Sequence, residues 1–363
     1  MIDALSMPKT PIQYLIKLLL FGIKFADWLE ILRIPIMQKN IFITGGCGYK
    51  GSKIVPLLLN LGHSVTVFDT IWFGNFLCKH PNLKILKGDI RNFSGISLEG
   101  FDTVIHLASI ANDPSGDLDP TQTWEISVLA TKQFAEKAAG AKVKNFIYAS
   151  SGSVYGLSDA PKVTETEELV PISTYNKTKM CAERILQSYG DKFNLVIIRP
   201  ATVCGLSPRM RLDVAVNMLT TQALENNKIT VLGGEQVRPN IHIDDLANLY
   251  AFFVANENKL NGVFNAGFEN LKIIDIANTV SKKTGAEIII ETSNDPRSYR
   301  LCSDKLLSVG FKPKKTVADA ISEICDAWKS KQLKNEPQWH TVSWMQNNNL
   351  SPENKKNEYK LSA

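Results

Sequence analysis

The sequence predicts an α/β protein: a doubly wound parallel sheet carrying a smaller, interleaved C-terminal lobe. Three observations point there. From Asn40 short apolar runs alternate with helix-length stretches, a glycine-spaced loop joins the first run to the first helix, and the rhythm changes after Arg199. The strand-like runs are Ile41–Thr44, Ser64–Asp69, Leu83–Lys87, Thr103–Leu107, Asn145–Ala149 and Leu195–Ile198, with helices over Gly51–Leu61, Pro120–Ala139 and Tyr175–Tyr189. Strands buried on both faces and joined by crossover helices make a parallel sheet.

The boundaries follow from the same reading. Residues 37–200, with a return segment at 240–268, form the sheet domain. Residues 201–239 and 269–331 form the second lobe, with a helix at Val214–Asn226 and a strand at Glu287–Glu291. The Asn-, Lys-, Gln- and Glu-rich stretch 332–363 reads as a polar, partly ordered tail, with Trp339 and Trp344 as side chains able to dock on the body. Residues 1–36 are an apolar extension. A spanning helix wants ~20 nearly uninterrupted apolar residues, whereas Ile12–Ile34 is broken by Lys17, Lys24, Asp27, Glu30 and Arg33. A stretch upstream of a true start at Met37 is favoured over a packed helix or an amphipathic helix on a membrane or partner.

Composition narrows the class. With 44% hydrophobic and 21% charged residues the chain reads as soluble and globular. A net charge of +5, without a dense basic run, argues against nucleic acid. Six cysteines without a CxxC pair, and five histidines in no zinc pattern, predict free thiols in a reducing cytoplasm and no metal.

The loop Thr44-Gly-Gly-Cys-Gly-Tyr-Lys-Gly51 places Gly45, Gly48 and Gly51 between strand and helix, with Tyr49 and Lys50 on the turn. Such glycines permit a tight turn, close approach of a pyrophosphate, and close helix–strand packing, while the helix N-terminus offers N–H groups to the anion. The next strand ends in Asp69. An acid there accepts from ribose hydroxyls and repels a 2′-phosphate, which predicts NAD. Asp89 and Ile90, after the third strand, are placed for the adenine, and Leu107, Ala108 and Ser109, after the fourth, for the nicotinamide half.

The glycine spacing, with Ser-Ser-Gly-Ser-Val-Tyr (150–155) and Tyr175-Asn-Lys-Thr-Lys179, resembles the extended short-chain dehydrogenase/reductases and their NAD-dependent epimerase/dehydratase branch, over about Gln38 to Ser330. The resemblance implies a Rossmann-type fold, a catalytic Ser151, and a homodimer through the helices Pro120–Ala139 and Tyr175–Tyr189. Tyr175 and Lys179, at i and i+4, share a helix face. A cationic Lys179 would favour the phenolate of Tyr175 and bond the nicotinamide ribose. Tyr175 would take the hydroxyl proton as hydride leaves the sugar carbon for NAD.

Relatives that eliminate water carry an Asp-Glu pair after the catalytic serine. Here those positions are Gly152 and Ser153, which disfavours a 4,6-dehydratase. On the substrate side the resemblance gives Thr202 a place in the strand-to-loop element entering the pocket. It sets Asn217 at a diphosphate, Arg238 at a substrate phosphate, and Arg297 or Arg300 as a second clamp. Ser207-Pro-Arg-Met-Arg-Leu-Asp213 is similar to a subgroup handling hexose or heptose nucleotides for surface polysaccharides, where Arg209 and Arg211 either line the pocket or brace the loop. Ser127 stands where relatives carry asparagine. The expected activity is a nucleotide-sugar epimerase that oxidises and re-reduces a ring carbon, most naturally C4. A net 4-dehydrogenase or 4-ketoreductase is the alternative, and a non-catalytic NAD-binding scaffold the minor one.

Overall fold

A computed structural model describes residues 38–350, apart from 159, 257–258 and 293–297. The N-terminal extension, Arg297 and the end of the tail therefore lie outside the described residues. The sheet begins with β1 (Asn40–Thr44), α1 (Gly51–Asn60), β2 (Ser64–Asp69), β3 (Leu83–Lys87) and β4 (Thr103–His106). Next come α2 (Asp113–Leu118), α3 (Pro120–Trp124), a single π-helical turn (Glu125–Leu129), α4 (Ala130–Gly140) and β5 (Asn145–Ala149). Then follow α5 (Thr174–Gln187), β6 (Asn194–Pro200), β7 (Thr202–Cys204), α6 (Ala215–Asn226), β8 (Lys228–Leu232), β9 (Val237–His242), α7 (Ile243–Ala255), β10 (Gly262–Ala266) and β11 (Glu269–Lys272). The chain continues through α8 (Ile273–Thr284), β12 (Glu287–Glu291), α9 (Asp304–Ser308), α10 (Val317–Lys329) and α11 (Thr341–Asn347).

Seven strands form one sheet in the order β10-β6-β5-β4-β1-β2-β3, and each pairing is parallel. Alternation along each strand feeds two cores. Ile41, Ile43, Val65, Val67, Ile105 and Ile147 face one way. Phe42, Phe68, Val104 and Phe146 face the other. The order reverses between β1 and β4, so the chain leaves these two strands toward opposite sides and opens a crevice at their C-terminal ends.

The second lobe differs from its expectation. Residues 201–239 hold strands as well as a helix, because β8 pairs in parallel with β12 and packs a separate core with α6, α8 and α10. Of the expected return segment only β10 joins the large sheet. Ile241 and His242 belong to a three-stranded sheet, β11-β9-β7, whose β7–β9 register pairs Thr202 with Asn240. The helix expected over Pro120–Ala139 is broken into α3, the π turn and α4, a π turn being a device concentrated at functional sites.

The described part of the tail docks on the body, as Trp339 and Trp344 allowed. Leu333, Trp339 and Met345 are buried, and the Trp339 ring lies 5.0 Å from Phe76. Trp344 donates its indole N–H to the Trp72 carbonyl at 2.7 Å. A few large apolar side chains among polar neighbours suffice to dock the segment. Among the described residues no helix is long and apolar enough to cross a membrane. Trp339→Ala is expected to destabilise the protein by about 3 kcal/mol, the usual cost of emptying a buried aromatic site, as read by urea unfolding. An unchanged midpoint would mean that the segment is not docked in solution.

Candidate functional site

The crevice floor is a polar chain running across β4. The Ala108 N–H donates to Thr44 Oγ1 at 3.2 Å, and Thr44 Oγ1 lies 2.7 Å from His106 Nδ1. His106 Nε2 lies 3.0 Å from Thr131 Oγ1, whose hydroxyl donates to the Ser127 carbonyl at 2.9 Å. With Thr131 already donating onward, the chain is satisfied throughout only if the imidazole carries its proton on Nε2. Burial, aided by the Lys179 charge, pushes His106 down to about 3, so it stays neutral. His106 is thus a satisfied core histidine, and it ties β1, β4 and α4 together beneath the crevice.

The glycine loop folds as its spacing demands. Gly45 has φ +71°, and a Cβ there would stand 2.7 Å from Ala108 N, while one at Gly51 would strike Gly46 O at 2.4 Å. Gly48 meets the protein only at Gly45 O, 3.3 Å away. Its missing side chain therefore leaves room for a ligand. Tyr49 lines the crevice, but its hydroxyl turns away and donates to the Gly205 carbonyl at 2.7 Å. Asp69 accepts from Cys47 N at 2.9 Å and Ile71 N at 2.7 Å. Burial raises its carboxyl, with those two N–H groups and Arg209 opposing. Asp89 lines the crevice too, its carboxylate gripped by Arg91, which also reaches Glu125 at 3.1 Å. Ile90, Leu107, Ala108 and Ser109 complete the predicted wall. Ser109 Oγ meets Ser127 Oγ at 3.0 Å, so the serine in the asparagine position supports the wall from the π turn.

Tyr175 and Lys179 meet at the inner end, on α5. Ser173 caps this helix, accepting from Asn176 N at 3.1 Å. Ser173 and Asn176 both donate to Asp113 at the start of α2. Ser151 lies near enough to the Tyr175 phenol to favour its ionised form and stands 2.7 Å from Ser153 Oγ, which donates on to Asn176. Lys179 donates to the Ala149 carbonyl at 2.7 Å. One helical turn further, Glu183 is buried against Arg199 at 2.6 Å and accepts from Ser150. Breaking such a buried pair costs about 3–5 kcal/mol, so it anchors α5 to β6.

Lys179 Nζ stands 5.8 Å from the Tyr175 ring centre, and burial acts on both groups. Burial and then Asp113 push Tyr175 up to about 12, against Ser151 and Arg211. Burial and Lys50 push Lys179 down to about 7 despite Glu183. Lys50 itself is pushed to about 8 by burial and Arg211. Desolvation outweighs the pairing that the i, i+4 spacing suggests.

Among the substrate-side residues, Arg209 and Arg211 line the crevice. Arg211 is paired with Asp213 at 2.9 Å. Asn217, expected at a diphosphate, is instead buried under this loop. Its amide accepts from Gly205 N at 2.9 Å and donates to the Arg211 carbonyl at 2.8 Å and to Tyr49 Oη at 3.2 Å. Thr202 and Arg238 lie half-buried on β7 and β9, and Arg300 is exposed. Sequence reasoning missed Trp72, Phe73 and Asp113. Only Asp113 had a local signal, the Asn-Asp-Pro helix start. His242, Asp244 and Glu323 come within ligating reach of one another. Lys53 holds Asp244 at 2.6 Å and Lys315 holds Glu323 at 2.8 Å, so that cluster is already matched by the protein's own cations.

A switch-point crevice with a glycine loop, a ribose acid and a Ser–Tyr–Lys set defines a dinucleotide-dependent enzyme of the short-chain dehydrogenase/reductase type. The chain belongs to the NAD-dependent epimerase/dehydratase family, whose model matches residues 41–267. Its cofactor is NAD, which the open Gly48 and the Asp69 carboxylate fit. It is 28% identical to the UDP-glucose 4-epimerase of Lactobacillus helveticus, over 80% of this chain and 96% of that one. Among solved structures it resembles a UDP-N-acetylglucosamine 4-epimerase from Methanobrevibacter ruminantium in complex with UDP-N-acetylmuramic acid. The TM-score is 0.74 and the identity 25%, over 82% of this chain and 99% of that one. It also resembles MoeE5 in complex with UDP-glucuronic acid and NAD, with a TM-score of 0.73 and 25% identity over 81% and 100% of the two chains.

Lys50 and Lys179 hold protons less tightly folded than unfolded, since their ordinary value is 10.5 and burial lowers them to about 8 and about 7. Between those limits the unfolded chain binds more protons, so stability rises with pH. Nucleotide-free protein is expected to gain in Tm from about pH 7 to about pH 9, and saturating NAD to flatten the rise by restoring the ammonium forms. A nucleotide-free Tm that falls over this range would contradict the buried lysines.

Proposed function

We propose that the protein is an NAD-dependent nucleotide-sugar 4-epimerase acting on a uridine diphosphate hexose. The observation that carries this reading is Ser151 set near the Tyr175 phenol, with Lys179 Nζ 5.8 Å from the Tyr175 ring centre, and Gly152 and Ser153 where elimination would need an acid/base pair. The 4-epimerase relatives support it. When bound, NAD supplies the acceptor and later the donor of the hydride at the sugar carbon. Tyr175 takes the sugar hydroxyl's proton as the carbonyl forms, and returns it when the carbon is reduced from its other face. Ser151 donates to the same oxygen and fixes its position. Lys179, recharged by an anionic ligand, favours the phenolate.

Thr202 and Arg238 are the side chains proposed for the substrate diphosphate, arginine being suited to bidentate phosphate binding. A homodimer through α3–α4 and α5 is part of the reading, and the exposed Trp124 and Leu129 support it.

Incubation with UDP-glucose or UDP-N-acetylglucosamine is expected to give the 4-epimer without net NADH. Stoichiometric NADH would replace the reading with a net dehydrogenase. Tyr175→Phe is expected to lower kcat by about 10²–10⁴-fold while bound NAD per protein stays unchanged. Full activity in that variant would remove Tyr175 from the chemistry.

A further inference from the structure

Arg209 lies on the substrate side of the chain, in the loop between β7 and α6, yet its guanidinium enters the cofactor crevice. The residue is 2% exposed, and Cζ stands 4.2 Å above the centre of the Phe73 ring. Arg209, Phe73 and Asp69 line the same crevice. The backbone N–H of Arg209 donates to Ser52 Oγ at 3.2 Å, and the side-chain Nη2 reaches Thr341 Oγ1 at 3.4 Å. The Nε–H has no acceptor among the described residues. A buried donor without a partner needs an explanation. Burial and then Arg211 hold the guanidinium below its usual range, and Asp213, Tyr49 and Asp69 only partly oppose them. It is short of an anion, in the crevice that Asp69 also lines, the acid expected at the adenosine ribose.

We propose that Arg209 is a cofactor-binding residue lent by the substrate-side loop, donating to the adenosine-side phosphate of NAD while Phe73 holds the plane of its guanidinium. A guanidinium stacked on a ring keeps its in-plane donors free for phosphate oxygens. The loop is pinned from behind. Leu212 N donates to the Trp339 carbonyl at 3.0 Å, and Thr341 N to Asp213 Oδ2 at 3.0 Å. The Trp344–Trp72 bond closes the belt on the other side. Trp72–Phe73 and Arg209–Asp213 thus form two jaws around the adenosine end, held together by the C-terminal segment. The inference requires only that NAD binds, so it stands or falls independently of the epimerase reading.

The test is a titration of nucleotide-free full-length protein with ADP-ribose and, separately, with UDP, in the wild type and in R209K and R209M. Both variants are expected to bind ADP-ribose at least tenfold more weakly, to bind UDP unchanged, and to lose NAD on gel filtration where the wild type keeps it. Unchanged ADP-ribose affinity overturns the proposal. So does a loss confined to UDP, which would assign Arg209 to the substrate diphosphate. Should the Arg209 variants not fold, F73L removes the platform and keeps the charge. A selective loss of ADP-ribose binding in F73L supports the assignment, and wild-type binding overturns it.

Discussion

The crevice gathers Lys179, Arg209 and Arg211 where little water reaches them, with the half-buried Lys50 beside them. Like charges without solvent repel and lose hydration. The protein offsets this with carboxylates set one step back: Glu183 behind Lys179, Asp213 against Arg211, and Asp69 near Arg209. Asp213 more than offsets the burial of Arg211, whereas Lys179 and Arg209 stay below their ordinary ranges despite Glu183 and Asp69, and Lys50 has no carboxylate opposing its burial. What remains is a site with a deficit of negative charge. A dinucleotide's diphosphate, or a sugar nucleotide's, is the natural complement.

Holding that arrangement requires a rigid floor. The chain from Ala108 through Thr44, His106 and Thr131 to Ser127 crosses the switch point, with each hydrogen used once. Because the imidazole is kept neutral, the floor adds no further positive charge under the lysines. The buried Glu183–Arg199 pair does the same for α5, with Tyr155 Oη and Asn265 extending the tie into β10. Tyr175 is therefore aimed by the backbone of a helix anchored at both ends, by Ser173 and Asp113 at one and Glu183 at the other.

Much of this was legible in the sequence because it is local. The glycine spacing, the acid closing β2 and the tyrosine–lysine interval each encode a geometry within a few residues, and the chain brings them together as expected. The missed features come from distant segments. Nothing near Arg209 announces that Phe73 will lie beneath it, and nothing near Trp344 announces Trp72. Such pairings depend on loop paths that propensity and periodicity do not specify. Asn217 shows the opposite error. An asparagine in the right helix looks like a ligand contact, but its amide is consumed in shaping the loop that carries Arg211. The Tyr175–Lys179 spacing reports proximity, and burial acts on the charge of both groups as well.

The belt around the adenosine end bears on why one fold can serve reversible rather than net oxidation. An enzyme that releases its reduced cofactor every turnover gains from an open adenosine site. One that must reduce its own intermediate gains from a cofactor that cannot leave while the keto sugar is present. Here both jaws contact the same C-terminal segment, so opening one end of the crevice means lifting Trp339 and Trp344 from their seats together. With the adenosine end placed as proposed, cofactor escape would be linked to local unfolding of a docked apolar segment, a far rarer event than the movement of a free loop. The substrate-side loop supplies one jaw, so its position bears on both ligands at once. On the proposed placement of Arg209, retention of the cofactor would follow from the way the two lobes are joined.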